Sequence, residues 1–155
     1  EAVPAQQLIE AIWPLVNLQA RKLGVSVRTS VEPDLPPALC DRTMVEQVLL
    51  NLARNAMQAM DDPTITPRVL DIRVRRAASK GHSGWLEFSV ADGGSGIPEE
   101  VAKKLFTPFF TTRTEGMGLG LSMCRTVVEQ HGGYFGFAPN EPRGTVFTFT
   151  LPVKI

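Results

Sequence analysis

"VEQVLLNLARNAMQAM", residues 45–60, is an apolar stretch that carries two asparagines four residues apart, Asn51 and Asn55. At about 100° per residue and with Val48 at 0°, Val45, Leu49, Leu52, Ala56, Ala59 and Met60 fall between about 20° and 120°. That is the core stripe of an amphipathic helix. On the same wheel Asn55 falls near 340°, Asn51 near 300°, and Gln47, Arg54 and Gln58 occupy about 240° to 280°. The asparagines share one edge between stripe and polar arc, and Glu46, near 160°, points well away from them. Asparagine is a mediocre helix former, and an unsatisfied buried amide costs about 1–3 kcal/mol. Either the pair is exposed or bonded to a neighbouring loop, or it faces a polar ligand or a hydrated cation.

Working outward, Asp41 is placed to N-cap this helix, which should end near Met60, before Asp61-Asp62-Pro63. Upstream, apolar spacing predicts a helix over 8–23, with Pro14 forcing a kink or a late start and Gly24 ending it. Val25, Val27 and Val31 then alternate with polar residues as in a strand, and "EPDLPPAL" is a proline-rich connector. Downstream, strands are predicted over 69–77 and 85–91, joined by "SKGHSG". "DGGSGIPEEV" reads as a loop opening into a short helix, and "LFTPFFTTRTEGMG" has almost no periodicity. A helix over 119–131 is stopped by Gly132-Gly133, and strands over 134–137 and 145–151 close the chain as a hairpin. Helices come singly and strands sit beside each other in sequence. That order predicts an α+β fold, with helices layered on one face of a mixed, mostly antiparallel sheet.

The 155 residues suffice for one domain with a single core. With 43% hydrophobic residues, 21% charged and zero net charge, the chain is no disordered tail. It also offers no electrostatic reason to expect nucleic acid or an anionic membrane as the main partner. The basic run Arg73-Val74-Arg75-Arg76 reads as the solvated face of a strand. The two cysteines, Cys40 and Cys124, lie outside any metal-ligand spacing and read as buried or idle thiols. No apolar run reaches the roughly 18 residues of a membrane helix. With no signal peptide and no initial Met, the chain is expected to be an excised piece of a longer protein.

"GMGLGLSMC" places Gly116, Gly118 and Gly120 at alternate positions directly before a helix. Glycines let backbone N–H groups approach an anion, and a helix N-terminus adds a favourable dipole, so this is either a phosphate cradle or a hinge beside a mobile loop. The spacing fits neither the G-x-x-x-x-G-K-[ST] loop nor G-x-G-x-x-G. Asp92, at the end of a strand and followed by glycines, serves turn geometry or accepts a hydrogen bond from a ligand amine.

Taken in order, "NLARNA" (51–56), "DGGSGIP" (92–98), "LFTPFFTT" (105–112), "GMGLGL" (116–121) and "GTVFTFTLP" (144–152) closely resemble the catalytic, ATP-binding domain of bacterial two-component sensor histidine kinases, in the GHKL superfamily. The resemblance covers nearly the whole chain. It implies the two-layer α/β sandwich of the Bergerat ATP-binding fold, with ATP and Mg²⁺ as ligands. It implies a catalytic domain over 8–155, preceded by a linker over 1–7 from a dimerisation domain outside this chain. By the family pattern Asp92 accepts from the adenine amino group, and Gly94, Gly96 and Ile97 let base and ribose lie close. Asn55 holds Mg²⁺, Asn51 lies beside the phosphates, and Thr145 belongs to the adenine side. Phe106 and Phe110 anchor a lid over 107–117 that carries Thr111, Thr112 and Arg113, while Gly116, Gly118, Leu119, Gly120 and Leu121 bind phosphate through the backbone.

In related ATPases that hydrolyse ATP, a Glu usually stands four residues before the metal-binding Asn; here that position is Asn51, which has no useful basicity. The resemblance therefore implies an enzyme that holds the γ-phosphoryl group for another nucleophile, by positioning and charge neutralisation. That nucleophile is a histidine on the separate dimerisation domain. His82, in a turn, and His131, at a helix end, read as surface and capping or packing residues. The resemblance further implies a cytoplasmic domain of a homodimeric parent, with a response regulator downstream. Gly93 replaces the Asn common after the motif Asp, and Arg113 replaces a common lid Lys while keeping a charge that can fork onto phosphate. The short lid resembles the subgroup of nitrogen-regulation, nitrogen-fixation and dicarboxylate sensors. Rival readings are a true ATPase, an anti-sigma-type serine kinase, and a nucleotide-gated interaction module of the same fold.

Overall fold

Alternation of apolar and polar residues decides the sheet. In the computed structural model, which describes residues 1–77, 84–97 and 117–153, the chain runs β1 (Ala2–Val3), α1 (Ala5–Leu23), β2 (Ser26–Val31), β3 (Ala38–Leu39), α2 (Arg42–Ala59), β4 (Val69–Arg76), β5 (Trp85–Ala91), α3 (Met117–Gln130), β6 (Phe135–Pro139) and β7 (Thr145–Pro152). Five of the described strands form a sheet of order β2-β4-β5-β7-β6, with β2 parallel to β4 and the other neighbours antiparallel, and β1 and β3 form a separate pair. Every second residue faces the core: Leu70, Ile72 and Val74 on β4, Leu86, Phe88 and Val90 on β5, and Phe147, Phe149 and Leu151 on β7 are buried. Phe88 and Phe149 are cross-strand partners and stack with centroids 4.8 Å apart and planes 2° off parallel.

The described helices cover that face. Leu8, Ile9, Ile12 and Val16 of α1, Val48, Leu49 and Leu52 of α2, and Leu121, Cys124 and Val128 of α3 join the same core cluster. The opposite face carries the alternate positions, with Arg73, Ser89 and Thr148 in one cross-strand row. This is the expected α+β sandwich with a mixed, mostly antiparallel sheet.

Three boundaries differ from the sequence expectation. Helix α1 starts at Ala5 and runs through Pro14. Pro14 and Glu10 are exposed, so the Glu10 carbonyl that loses its donor meets water. Val3 and Ala5 are buried, and β1 pairs antiparallel with β3, so residues expected to be a linker pack on the domain. Such two-residue strands have no period to read. Helix α3 starts two residues early, at Met117, despite its glycines. Gly24 ends α1 in the left-handed conformation, φ 66°, as expected. Among the described residues no helix is long and apolar enough to cross a membrane.

Candidate functional site

Helix α2 supplies the first side of the site. Asp41 caps it, its carboxylate accepting from the Met44 N–H at 3.0 Å. The buried stripe is broader than the wheel predicts, because Ala53 and Met57 are also buried, on a helix packed against α1 as well as the sheet. Asn55 lies at the stripe's edge, 7% exposed, and its amide nitrogen has no partner among the described residues. Such an orphan costs about 1–3 kcal/mol, and a rotation about χ2 lets the amide present either end to a ligand. Asn51, one turn earlier and half-buried, leans toward α3: a Cβ on Gly120 would come within 3.8 Å of its Oδ1. Its side chain also bonds the Cys124 thiol, which burial nonetheless pushes up to about 12, so this thiol stays neutral. Both cysteines are free and buried, as expected.

The end of β5 supplies the second side. Asp92 follows the last paired residue and is 3% exposed. Burial pushes its carboxyl up to about 6, against the backbone N–H groups of Gly94 and Thr145, which pull it down. The Gly94 N–H reaches Oδ1 at 2.8 Å. Gly94 must be glycine, because a Cβ there would sit 2.5 Å from the Ala59 carbonyl oxygen in the last turn of α2. Backbone therefore packs on backbone, and the loop after Asp92 is held against the helix that carries Asn55. Gly96 takes φ +81°, a conformation glycine adopts without strain. Ile97 packs half-buried on the core, and Thr145 is buried at the start of β7. Beside them opens a cavity of about 410 Å³ whose lining includes Gly96, Ile97, Phe137, Asn140 and Thr145.

Helix α3 supplies the third side. Gly118, Leu119 and Gly120 fall in its first turn, where N–H groups lack intrahelical acceptors. Leu121 turns its side chain into the core, 1% exposed, and anchors that turn. The structure thus brings Asn51 to Gly120, and Asp92 to Gly94, Thr145 and the end of α2. Phe106, Phe110, Thr111, Thr112, Arg113 and Gly116 lie outside the described residues, as does His82. His131 packs and caps as expected: its Nε2 accepts the Asp41 N–H at 2.9 Å, while Nδ1 lies 2.8 Å from the Val127 carbonyl.

One contributor escapes sequence reading. Asn140, read as a turn residue, donates from Nδ2 to the Asp92 carbonyl at 2.8 Å, across 48 positions. The "NEPRG" composition signals the turn; nothing in it signals what the amide touches.

Residues 40–155 match the family model described as histidine kinase-, DNA gyrase B- and HSP90-like ATPase. The chain is 42% identical over 134 residues to the C4-dicarboxylate transport sensor protein DctS of Rhodobacter capsulatus, covering 86% of this chain and 20% of that protein. It therefore spans about a fifth of that relative's length. Among solved structures, the catalytic domain of histidine kinase ThkA superposes with a TM-score of 0.83 at 32% identity, covering 99% of this chain and 95% of that one. ThkA in complex with the response regulator TrrA matches with a TM-score of 0.79 at 30% identity, covering 99% of this chain and 42% of that one. With its sheet order, its paired asparagines and its glycine-backed Asp92 in this arrangement, the chain belongs to the histidine kinase-, DNA gyrase B- and HSP90-like ATPase family, as a histidine kinase catalytic domain of two-component signalling.

Proposed function

We propose that the chain binds Mg²⁺-ATP and delivers the γ-phosphoryl group to a histidine on a separate dimerisation domain. The observation that carries this reading is Asp92: a nearly inaccessible carboxylate, held by the N–H of Thr145 at the edge of that cavity, and kept at a cost to the unliganded fold. A buried acceptor of that kind selects a ligand that brings an N–H, as adenine does and guanine does not at the equivalent position.

The residues present fit the ligand at both ends. Asp92, Gly94, Gly96, Ile97 and Thr145 would hold the base and ribose. Asn55 would hold Mg²⁺ through its amide oxygen, with its unpartnered Nδ2 left to donate to a phosphate oxygen. Among the described residues no three His, Cys, Asp or Glu side chains converge on a metal position. One protein amide plus phosphate oxygens and water suits Mg²⁺, which sheds its water reluctantly. Bound Mg²⁺ would neutralise charge on the phosphates during transfer. The first turn of α3 would face the phosphates with its N–H groups, and Asn51, tied to α3, would keep that turn in register with Asn55. Asn51 has no basicity with which to activate water, so the chain's own chemistry is to bind, orient and withhold the phosphoryl group from solvent.

The wider reading extends the family resemblance, and the ThkA complex supports its last step. The parent is a cytoplasmic-facing homodimer whose phosphohistidine passes its group to a response regulator, the class of partner seen with ThkA. Zero net charge supports a protein partner over nucleic acid.

Calorimetric titration with ATP, with and without Mg²⁺ and with GTP as control, tests the proposal. Mg²⁺-strengthened binding of ATP, and none of GTP, is the expected result. A folded chain that binds neither nucleotide, or both alike, overturns it.

A further inference from the structure

We infer that Asn140 is a positioning residue for the adenine contact: its amide fixes the Asp92 peptide plane, so the β6–β7 turn helps set where the Asp92 carboxylate points. The inference rests on the nucleotide reading of the site.

The sheet holds only half of Asp92. Ladder pairing of β5 with β7 ends at Ala91 and Val146, and beyond it the Asp92 N–H still reaches the Thr145 carbonyl at 2.9 Å. The chain then turns into Gly93 and Gly94, leaving the β5 ladder before it can serve the Asp92 carbonyl. That carbonyl belongs to the peptide that joins Asp92 to Gly93, a residue whose own backbone restricts it little. The side chain of Asn140 takes it instead, at 2.8 Å and part-buried.

Asn140 is itself fixed. Its N–H donates to the Gly144 carbonyl at 3.0 Å, and its Oδ1 accepts from the Glu141 N–H at 2.9 Å. The far end of the turn presses on the same carbonyl: Gly144 has φ +106°, and a Cβ on it would overlap the Asp92 oxygen. Both ends of the turn therefore converge on one carbonyl group, one through a hydrogen bond and one through contact. With its N–H, its carbonyl and its Oδ1 all engaged, Asp92 has one direction left for its carboxylate.

The two ends of the Asn140 amide do separable jobs. Oδ1 shapes the turn; Nδ2 holds Asp92. Asn140→Asp keeps the acceptor for Glu141 and removes the donor to Asp92, whereas Asn140→Ala removes both. Because the contact between Asn140 and Asp92 is shorter than even the Debye length of about 3 Å in about 1 M salt, screening does not remove the repulsion between the new carboxylate and the Asp92 carbonyl, and Asn140→Asp is expected to melt below the wild type. Its ATP affinity is expected to fall about three- to tenfold, the worth of one hydrogen bond. Mg²⁺-tripolyphosphate, which has no base to present to Asp92, is expected to bind it as it binds the wild type. Asn140→Ala should show the same loss for ATP together with a lower Tm. Wild-type ATP affinity in Asn140→Asp overturns the inference, and so does an equal loss for tripolyphosphate, which marks a structural role. A wild-type chain that binds no ATP overturns the nucleotide reading and this inference with it.

Discussion

Asp92 sets stability against the proposed binding. Its folded-state carboxyl sits at about 6 against an ordinary 3.8, so the native state holds its proton more tightly than the unfolded chain does. Stability from this group is complete below the ordinary value and lost as pH rises through about 6. The gap amounts to about 3 kcal/mol of destabilisation at neutral pH. Asp92→Asn keeps an oxygen for the Gly94 N–H and sheds the charge. It should therefore melt above the wild type at pH 7–8, with the difference closing toward pH 4, while ATP binding is abolished. Melting curves across that range check it; a variant less stable than the wild type at pH 8 is the contrary result. At this scale the sequence is readable where the contact is local. The wheel put Asn55 closer to the apolar stripe than Asn51, and Asn55 is the more buried of the two. It could not show that Asn51 also lies against α3, at Gly120. Asn140 was unreadable because its partner lies 48 positions away.

Helices α2 and α3 are tied at their ends as well as along their faces. The Asp41 N–H, at the start of α2, has its acceptor in the His131 ring just past α3, and the ring's other nitrogen meets the Val127 carbonyl. Removing the ring leaves both groups without that partner, at a cost of about 1 kcal/mol in a half-buried place. His131→Ala should lower the Tm while ATP affinity stays within twofold, since the site lies at the other end of both helices; a large loss of affinity would show that this clamp sets the register of α3. Helices with a strong period, such as α2, were legible almost to the residue, from Asp41 to Met60. The start of α3 was not. Gly118 and Gly120 cost about 1 kcal/mol each relative to alanine, yet packing of Leu121, Cys124 and Val128 carries the helix back to Met117.

At the scale of the whole molecule, the order of elements was legible but their neighbours were not. Alternating burial predicts a sheet with one covered face; it does not say that β2 lies parallel to β4 or that β7 lies between β5 and β6. Those pairings follow from twist, connection length and the helices' demand for one face, none of which is a local pattern. In the proposed reading Asp92 would accept from adenine and Asn55 would hold Mg²⁺, while Asn51 supplies no base. Purified chain with Mg²⁺-ATP should therefore release phosphate at no more than a small fraction of the enzyme turnover of about 1–1000 per second, measured as free phosphate over hours. Release in that range would move the molecule among the true ATPases of its family.

The pairing of β5 with β7 has a further consequence, in the order of synthesis. Residues 85–91 leave the ribosome long before residues 146–152, their neighbours across the middle of the sheet. At about 5–20 residues per second, β5 waits several seconds with one edge unpaired and Phe88 without its stacking partner. Until Thr145 arrives, Asp92 lacks the carbonyl that takes its N–H. The nascent chain must therefore be shielded or soluble through that interval, and any truncation before Thr145 leaves a sticky central strand and an Asp92 without the backbone partner that the proposed adenine contact requires.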